Sequence, residues 1–146
     1  MSECKFFRNR LRTLLSVDTL VDGLLSRLDL TNTFVIFTSD HGFHLGQFRL
    51  PYDKRQPYET DLRVPLWVRG PGVPANVTLD ALVAMTVDLA PTLLDMGGAG
   101  QAAKRGMDGT SFLPNLRQAN KSAVSNEGTH DSQMNFGKSF VHVIVQ

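Results

Sequence analysis

The chain has 146 residues, 42% of them apolar, which suits one domain with its own core. Its 15 Lys and Arg are interspersed with 14 Asp and Glu, for a formal charge of +1, which excludes a strongly basic nucleic-acid-binding face. One Cys excludes an internal disulfide, and no run is apolar enough over sufficient length to span a bilayer.

The opening stretch, "MSECKFFRNRLR", has no apolar core of the kind a signal peptide needs. Residues 6 to 29 read as a helix. Phe7, Leu11, Leu14 and Leu15 form one stripe, continued by Val21, Leu24, Leu25 and Leu28. Ser16 and Asp18 mark a candidate kink or fresh N-cap. "TFVIFT", 33 to 38, is rich in β-branched and aromatic residues without alternation, the pattern of a strand buried on both faces in a parallel sheet. It runs into "SDHG", and a loop rich in Gly, Pro and charge follows from 42 to about 62.

"RVPLWVRG", 63 to 70, reads as a second strand, and "PGVPANVT" as a turn region. Residues 82 to 87 read as a third strand. Residues 88 to 97 read as a helix, with Asp88 as N-cap, Pro91 in the first turn and Gly97-Gly98 as the stop. "GTSFLPNLRQ" leaves room for one more short helix, and "KSFVHVIVQ" has the composition of an edge strand without a definable place. The order implies an α/β architecture, a sheet flanked by helices. Ligands in such sheets gather at the carboxyl ends of strands, where "SDHG" falls.

Asp40 can offer carboxylate oxygens to a hard cation, or it can cap a turn in which Gly42 takes a positive φ. One carboxylate and one imidazole are too few for a metal site. His44 is a candidate proton donor or anion contact, or simply an exposed loop residue. Lys54 is a compact cation suited to an anionic oxygen, or part of a solvated loop.

Read together, these pieces say more. "SDHG", then Lys-x3-Tyr-Glu-x3-Arg-x-Pro over Lys54, Tyr58, Glu59, Arg63 and Pro65, then "DLAPTLLD" and "MDGTSFLP", resemble the C-terminal part of the sulfatase family's catalytic domain. The resemblance covers residues 6 to about 118 and leaves 119–146 as an unassigned tail. It implies a partial alkaline-phosphatase-like mixed sheet flanked by helices.

The resemblance also implies a sulfuric ester hydrolase. The branch it points to removes 6-O-sulfate from N-acetylglucosamine residues of heparan and keratan sulfate glycosaminoglycans. By resemblance, Asp40 and His41 ligate a divalent cation, usually Ca²⁺. Lys54 and His44 are the catalytic and sulfate-contacting residues. The position of His41 is more often Asn in this branch, and imidazole is an unusual partner for Ca²⁺. Tyr58, Glu59 and Arg63 look like scaffold, with a Glu–Arg pair holding the loop.

The family's nucleophile is a formylglycine made from Cys in Cys-x-Pro/Ala-Ser-Arg. Here the one cysteine lies in Cys4-Lys5-Phe6-Phe7-Arg8, so the 146 residues contain no such motif and are expected to be inactive alone. Three other readings remain: a fragment of a heparan-sulfate 6-O-endosulfatase, a non-catalytic fragment that binds sulfated sugar, and a phosphoesterase of the wider superfamily. Two sequons, Asn76-Val77-Thr78 and Asn120-Lys121-Ser122, fit a lysosomal or secreted glycoprotein.

Overall fold

The computed structural model describes residues 3–79, 84–119 and 142–145. Helix α1 is Glu3–Leu25, shorter at its C-terminal end than the apolar stripe suggested. Thr13 and Thr19 return their hydroxyls to the carbonyls of Arg10 (2.7 Å) and Leu15 (3.0 Å), and the helix runs unbroken through Ser16 and Asp18. Past Leu25 the chain tightens, with Arg27 and Leu28 donating to the carbonyls of Leu24 and Leu25, three residues back.

Four strands form a mixed sheet: β1 (Val35–Thr38), β2 (Pro65–Arg69), β3 (Val77–Leu79) and β4 (His142–Val145). Their spatial order is β1-β2-β4-β3. The β1–β2 pair is antiparallel, with Phe37 opposite Trp67, which corrects the parallel reading of 33 to 38. The parallel pair is β2–β4. Placed at the sheet's edge, β1 is half-buried along its length rather than enclosed on both faces.

Two further corrections concern β3 and β4. β3 ends the stretch read as turn, and β4 comes from the tail left unassigned. Instead of an edge, β4 lies between β2 and β3.

Alternation along β2 is strict: Leu66 and Val68 are buried while Pro65, Trp67 and Arg69 are exposed. Leu66, Val68 and Val77 present one face to Ala84, Phe112, Leu113 and Leu116, and these residues form the core. The last two belong to α4 (Leu113–Gln118), the short helix expected there. Phe34, Ile36, Leu89 and Met96 pack around the margin. On the opposite face Trp67 meets Phe37 at 5.3 Å between centroids and stays 41% exposed, so this side has little helical cover among the described residues.

The third expected strand, 82 to 87, is absent over its described part. Residues 80–83 lie outside the described residues, and Thr86–Asp88 is a 3-10 turn leading into α3 (Leu89–Met96). Asp88 explains the turn. Its Oδ2 accepts from Met85 N at 2.9 Å and its Oδ1 from Thr110 N at 2.7 Å. One carboxylate therefore ends the extended backbone and joins "DLAPTLLD" to "MDGTSFLP". Thr92 adds a second tie, accepting from Phe112 N at 3.1 Å. These bonds tie the two segments to each other.

Candidate active site

At the carboxyl end of β1 the chain turns through Ser39-Asp40-His41-Gly42. Asp40 Oδ1 accepts from His41 N at 3.0 Å, the capping role the tetrapeptide allowed, but Gly42 does not take the positive φ expected of it. Gly42 N donates to Asp61 O at 2.7 Å and Phe43 N to Thr60 O at 2.8 Å. This lays the loop against the short helix α2 (Glu59–Leu62). Next, His44 and Asp53 pair as an isolated bridge, His44 N to Asp53 O at 3.0 Å and Asp53 N to His44 O at 3.3 Å. Lys54 is thereby carried back over His41.

The result is a small polar group. Lys54 Nζ lies 2.7 Å from His41 Nε2, and His41 Nδ1 lies 2.7 Å from Gly42 O. Asp40 Oδ2 is 3.3 Å from His41 Nε2. A carbonyl can only accept, so Nδ1 donates to Gly42 O, while Nε2 stands between the Lys54 ammonium and the Asp40 carboxylate. Slight burial pushes the Asp40 carboxyl up, but His41, two backbone N–H groups and Lys54 outweigh it and hold it below its ordinary value. It is therefore an anion near neutrality, with its side chain 83% exposed.

Asp40, His41 and Lys54 are thus brought together, but they do not fit a complete Ca²⁺ site. Such a site wants about six to eight oxygens. Lys54 Nζ stands 2.7 Å from His41 Nε2, where a metal on that nitrogen would have to sit. Among the described residues no group of three or more His, Cys, Asp or Glu side chains can hold a metal. Calorimetric titration of Ca²⁺ into the chain should therefore show a dissociation constant weaker than about 1 mM, and stripping the protein with chelator should leave its melting unchanged. Micromolar binding would overturn this assignment of the ligands.

His44 is not the exposed loop residue the bland reading allowed. It is 1% exposed, and its Nδ1 donates to Asp61 Oδ1 at 2.7 Å. Asp61 is the residue that sequence reasoning missed; it is 2% exposed and its Oδ2 accepts from Gln56 N at 2.9 Å. Burial pushes its carboxyl up, but the His44 and Gln56 hydrogen bonds outweigh it, and it sits below its ordinary value.

A carboxyl depressed in the folded state stabilises the fold above its unfolded value, and that contribution disappears as pH falls through the folded value. Wild type should accordingly lose stability below about pH 4 more steeply than Asp61→Asn, as urea midpoints measured across pH. Parallel curves would refute it.

Glu59 and Arg63 pair as expected, but across one exposed helical turn, not as an internal tie that holds the loop. Arg63 Nη1 meets Glu59 Oε2 at 3.5 Å on the surface, a pair worth about 0.3–0.5 kcal/mol. Tyr58 stacks on Phe48 at 5.6 Å. From the other side, α1 leans on the loop. Phe6 stacks on Phe43 (6.4 Å) and Tyr52 (5.5 Å), and the Arg10 guanidinium lies 5.4 Å from the Phe43 ring centre. Asn76, one of the two sequon residues, is exposed in a positive-φ turn at 56°; Asn120 lies outside the described residues. No described helix is long and apolar enough to cross a membrane.

Known proteins share this chain's sequence and fold. The family model "Sulfatase" matches residues 3–99. The chain is 56% identical over 117 residues to N-acetylglucosamine-6-sulfatase of Capra hircus, covering 77% of this chain and 21% of that protein. It is 46% identical over 121 residues to an extracellular sulfatase SULF-1 homolog of Drosophila melanogaster, covering 80% of this chain and 11% of that one. The solved structure of BT4656 in complex with its substrate D-glucosamine-2-N,6-O-disulfate superposes with a TM-score of 0.60 at 34% identity, over 70% of this chain and 20% of that one. The chain spans about a fifth of the length of the N-acetylglucosamine-6-sulfatases it matches.

Proposed function

Because the chain belongs to the sulfatase family, we propose that it supplies part of a sulfuric ester hydrolase site for 6-O-sulfated glucosamine in glycosaminoglycans. The observation that carries this is the convergence of Asp40, His41 and Lys54 at the end of β1. A sulfate ester offers only acceptor oxygens, and Lys54 is the donor in this group best suited to one. Its ammonium can hold the sulfate and offset the negative charge that develops on the leaving oxygen. Moving onto the sulfate, it would free His41 Nε2. Asp40, an exposed anion, is the residue to join a Ca²⁺ ion whose other oxygens come from outside these residues.

The substrate class follows from what the relatives are named for. N-acetylglucosamine-6-sulfatase favours the exosulfatase reading over the endosulfatase one, since its identity to this chain is the higher of the two. His41 is the feature that keeps the endosulfatase branch as a second reading. A lysosomal or extracellular setting fits both, and exposed Asn76 is open to a glycan there.

The test is a titration of glucosamine 6-sulfate against plain glucosamine, followed by NMR. Binding should be on the order of millimolar, specific to the sulfated sugar and weakened about tenfold or more in Lys54→Ala. Equal response to both sugars would sink the reading. Aryl-sulfate turnover by these 146 residues should stay at background, because Cys4 is followed by Lys5-Phe6-Phe7 and offers no formylglycine precursor.

A further inference from the structure

Asp61 spends both carboxylate oxygens on the turn that carries Lys54. Its Oδ1 takes the His44 ring proton at 2.7 Å, and His44 is backbone-paired with Asp53, one residue before Lys54. Its Oδ2 takes the amide of Gln56, two residues after Lys54, at 2.9 Å. Lys54 itself is exposed, yet its Nζ reaches His41 Nε2 at 2.7 Å. A flexible four-carbon stem does not hold one place unless its backbone is fixed. The buried carboxylate grips both ends of the 53–56 turn.

We propose that Asp61, acting through His44 and the Gln56 amide, is the positioning residue that fixes Lys54 over His41 for contact with the sulfate. Asp61 never meets the ligand. The inference rests on the reading of Lys54 as the sulfate contact. It gives the buried His44 a role that needs no exposure, and it explains why an acid sits in the interior of α2.

The experiment is a double-mutant cycle on the 146-residue chain with glucosamine 6-sulfate as probe. Lys54→Ala and Asp61→Asn should each weaken binding by about tenfold or more, as loss of a supporting hydrogen-bond partner commonly does. The double variant should bind no more weakly than Lys54→Ala alone, because both changes remove the same contact. Asp61→Glu, which keeps the charge and both acceptors, should recover part of the loss.

Two readouts stand apart from affinity. The His41 ring nitrogen resonance should move the same way in Lys54→Ala and Asp61→Asn. The Gln56 amide should exchange slowly in wild type although the residue is exposed. Full additivity in the cycle, wild-type binding by Asp61→Asn, or free exchange of the Gln56 amide would overturn the proposal. Should Asp61→Asn fail to fold, the wild-type exchange of Gln56 and the Asp61→Glu binding decide it. If instead Lys54→Ala binds like wild type, the sulfate reading of Lys54 fails, and the His41 resonance still decides whether Asp61 positions the lysine.

Discussion

Gly42→Ala should cost the fold about 3 kcal/mol and separate His41 from Lys54. A Cβ on Gly42 would stand 2.0 Å from Thr60 O and 2.9 Å from Thr60 C. Both are backbone atoms of the stretch that α2 belongs to, so no side chain can swing aside. The loop must lift away, and the bonds Gly42 N to Asp61 O and Phe43 N to Thr60 O go with it. Two hydrogen bonds at about 1 kcal/mol each, plus the strain of overpacking, make up the figure. Urea denaturation followed by circular dichroism gives the stability change, and the His41 ring resonance reports the site. A midpoint equivalent to less than about 0.5 kcal/mol of change would show that the close approach is not there.

Leu116→Ala should have an effect of similar size on the chain as a whole. Leu116 is 0% exposed and belongs to the cluster of Leu66, Val68, Val77 and Phe112. Truncation removes its burial and leaves a cavity between α4 and the sheet, for a loss of about 2–5 kcal/mol. A domain of this size holds about 5–15 kcal/mol in total, so the variant should be close to unfolding at body temperature. Leu20→Ala, at a position 71% exposed on α1, is the control and should stay within about 0.5 kcal/mol of wild type. Equal effects at the two positions would mean that the core is not where the packing places it.

Local pattern was enough wherever an element's own residues decide its state. The α1 stripe, the β-branched run of β1, the alternation of β2 and the Gly stop after α3 all formed close to where they were expected. β3 was hidden because Pro74, Ala75 and Asn76 signal a turn, and only Val77-Thr78-Leu79 pair. Its partner in the sheet lies more than sixty residues away, beyond any local period. Residues 84 to 88 misled for a different reason. Apolar composition suggested strand, but the Asp88 carboxylate takes Met85 N and closes the chain into a turn.

The site divides in the same way. That Asp40, His41 and Lys54 come together was legible from their order along the chain, and the structure brings their side chains within hydrogen-bond reach of one another. Asp61 was not, since an Asp between Thr60 and Leu62 reads as a solvated helix residue. Only the folded 42–44 loop encloses it and supplies the His44 proton. That His44 is buried was not readable, for the same cause.

Helix α1 touches the site loop through Phe6 and Arg10, both in its first turns, while Leu11, Leu14, Leu15, Leu20 and Leu24 face solvent. Further along the helix Val17, Val21 and Leu25 are half-buried on one stripe, while residues 5 to 16 are exposed. Among the described residues the first turns are therefore tied to the rest of the chain through Phe6 and Arg10 alone, and amide exchange there should follow the opening of residues 43 to 52.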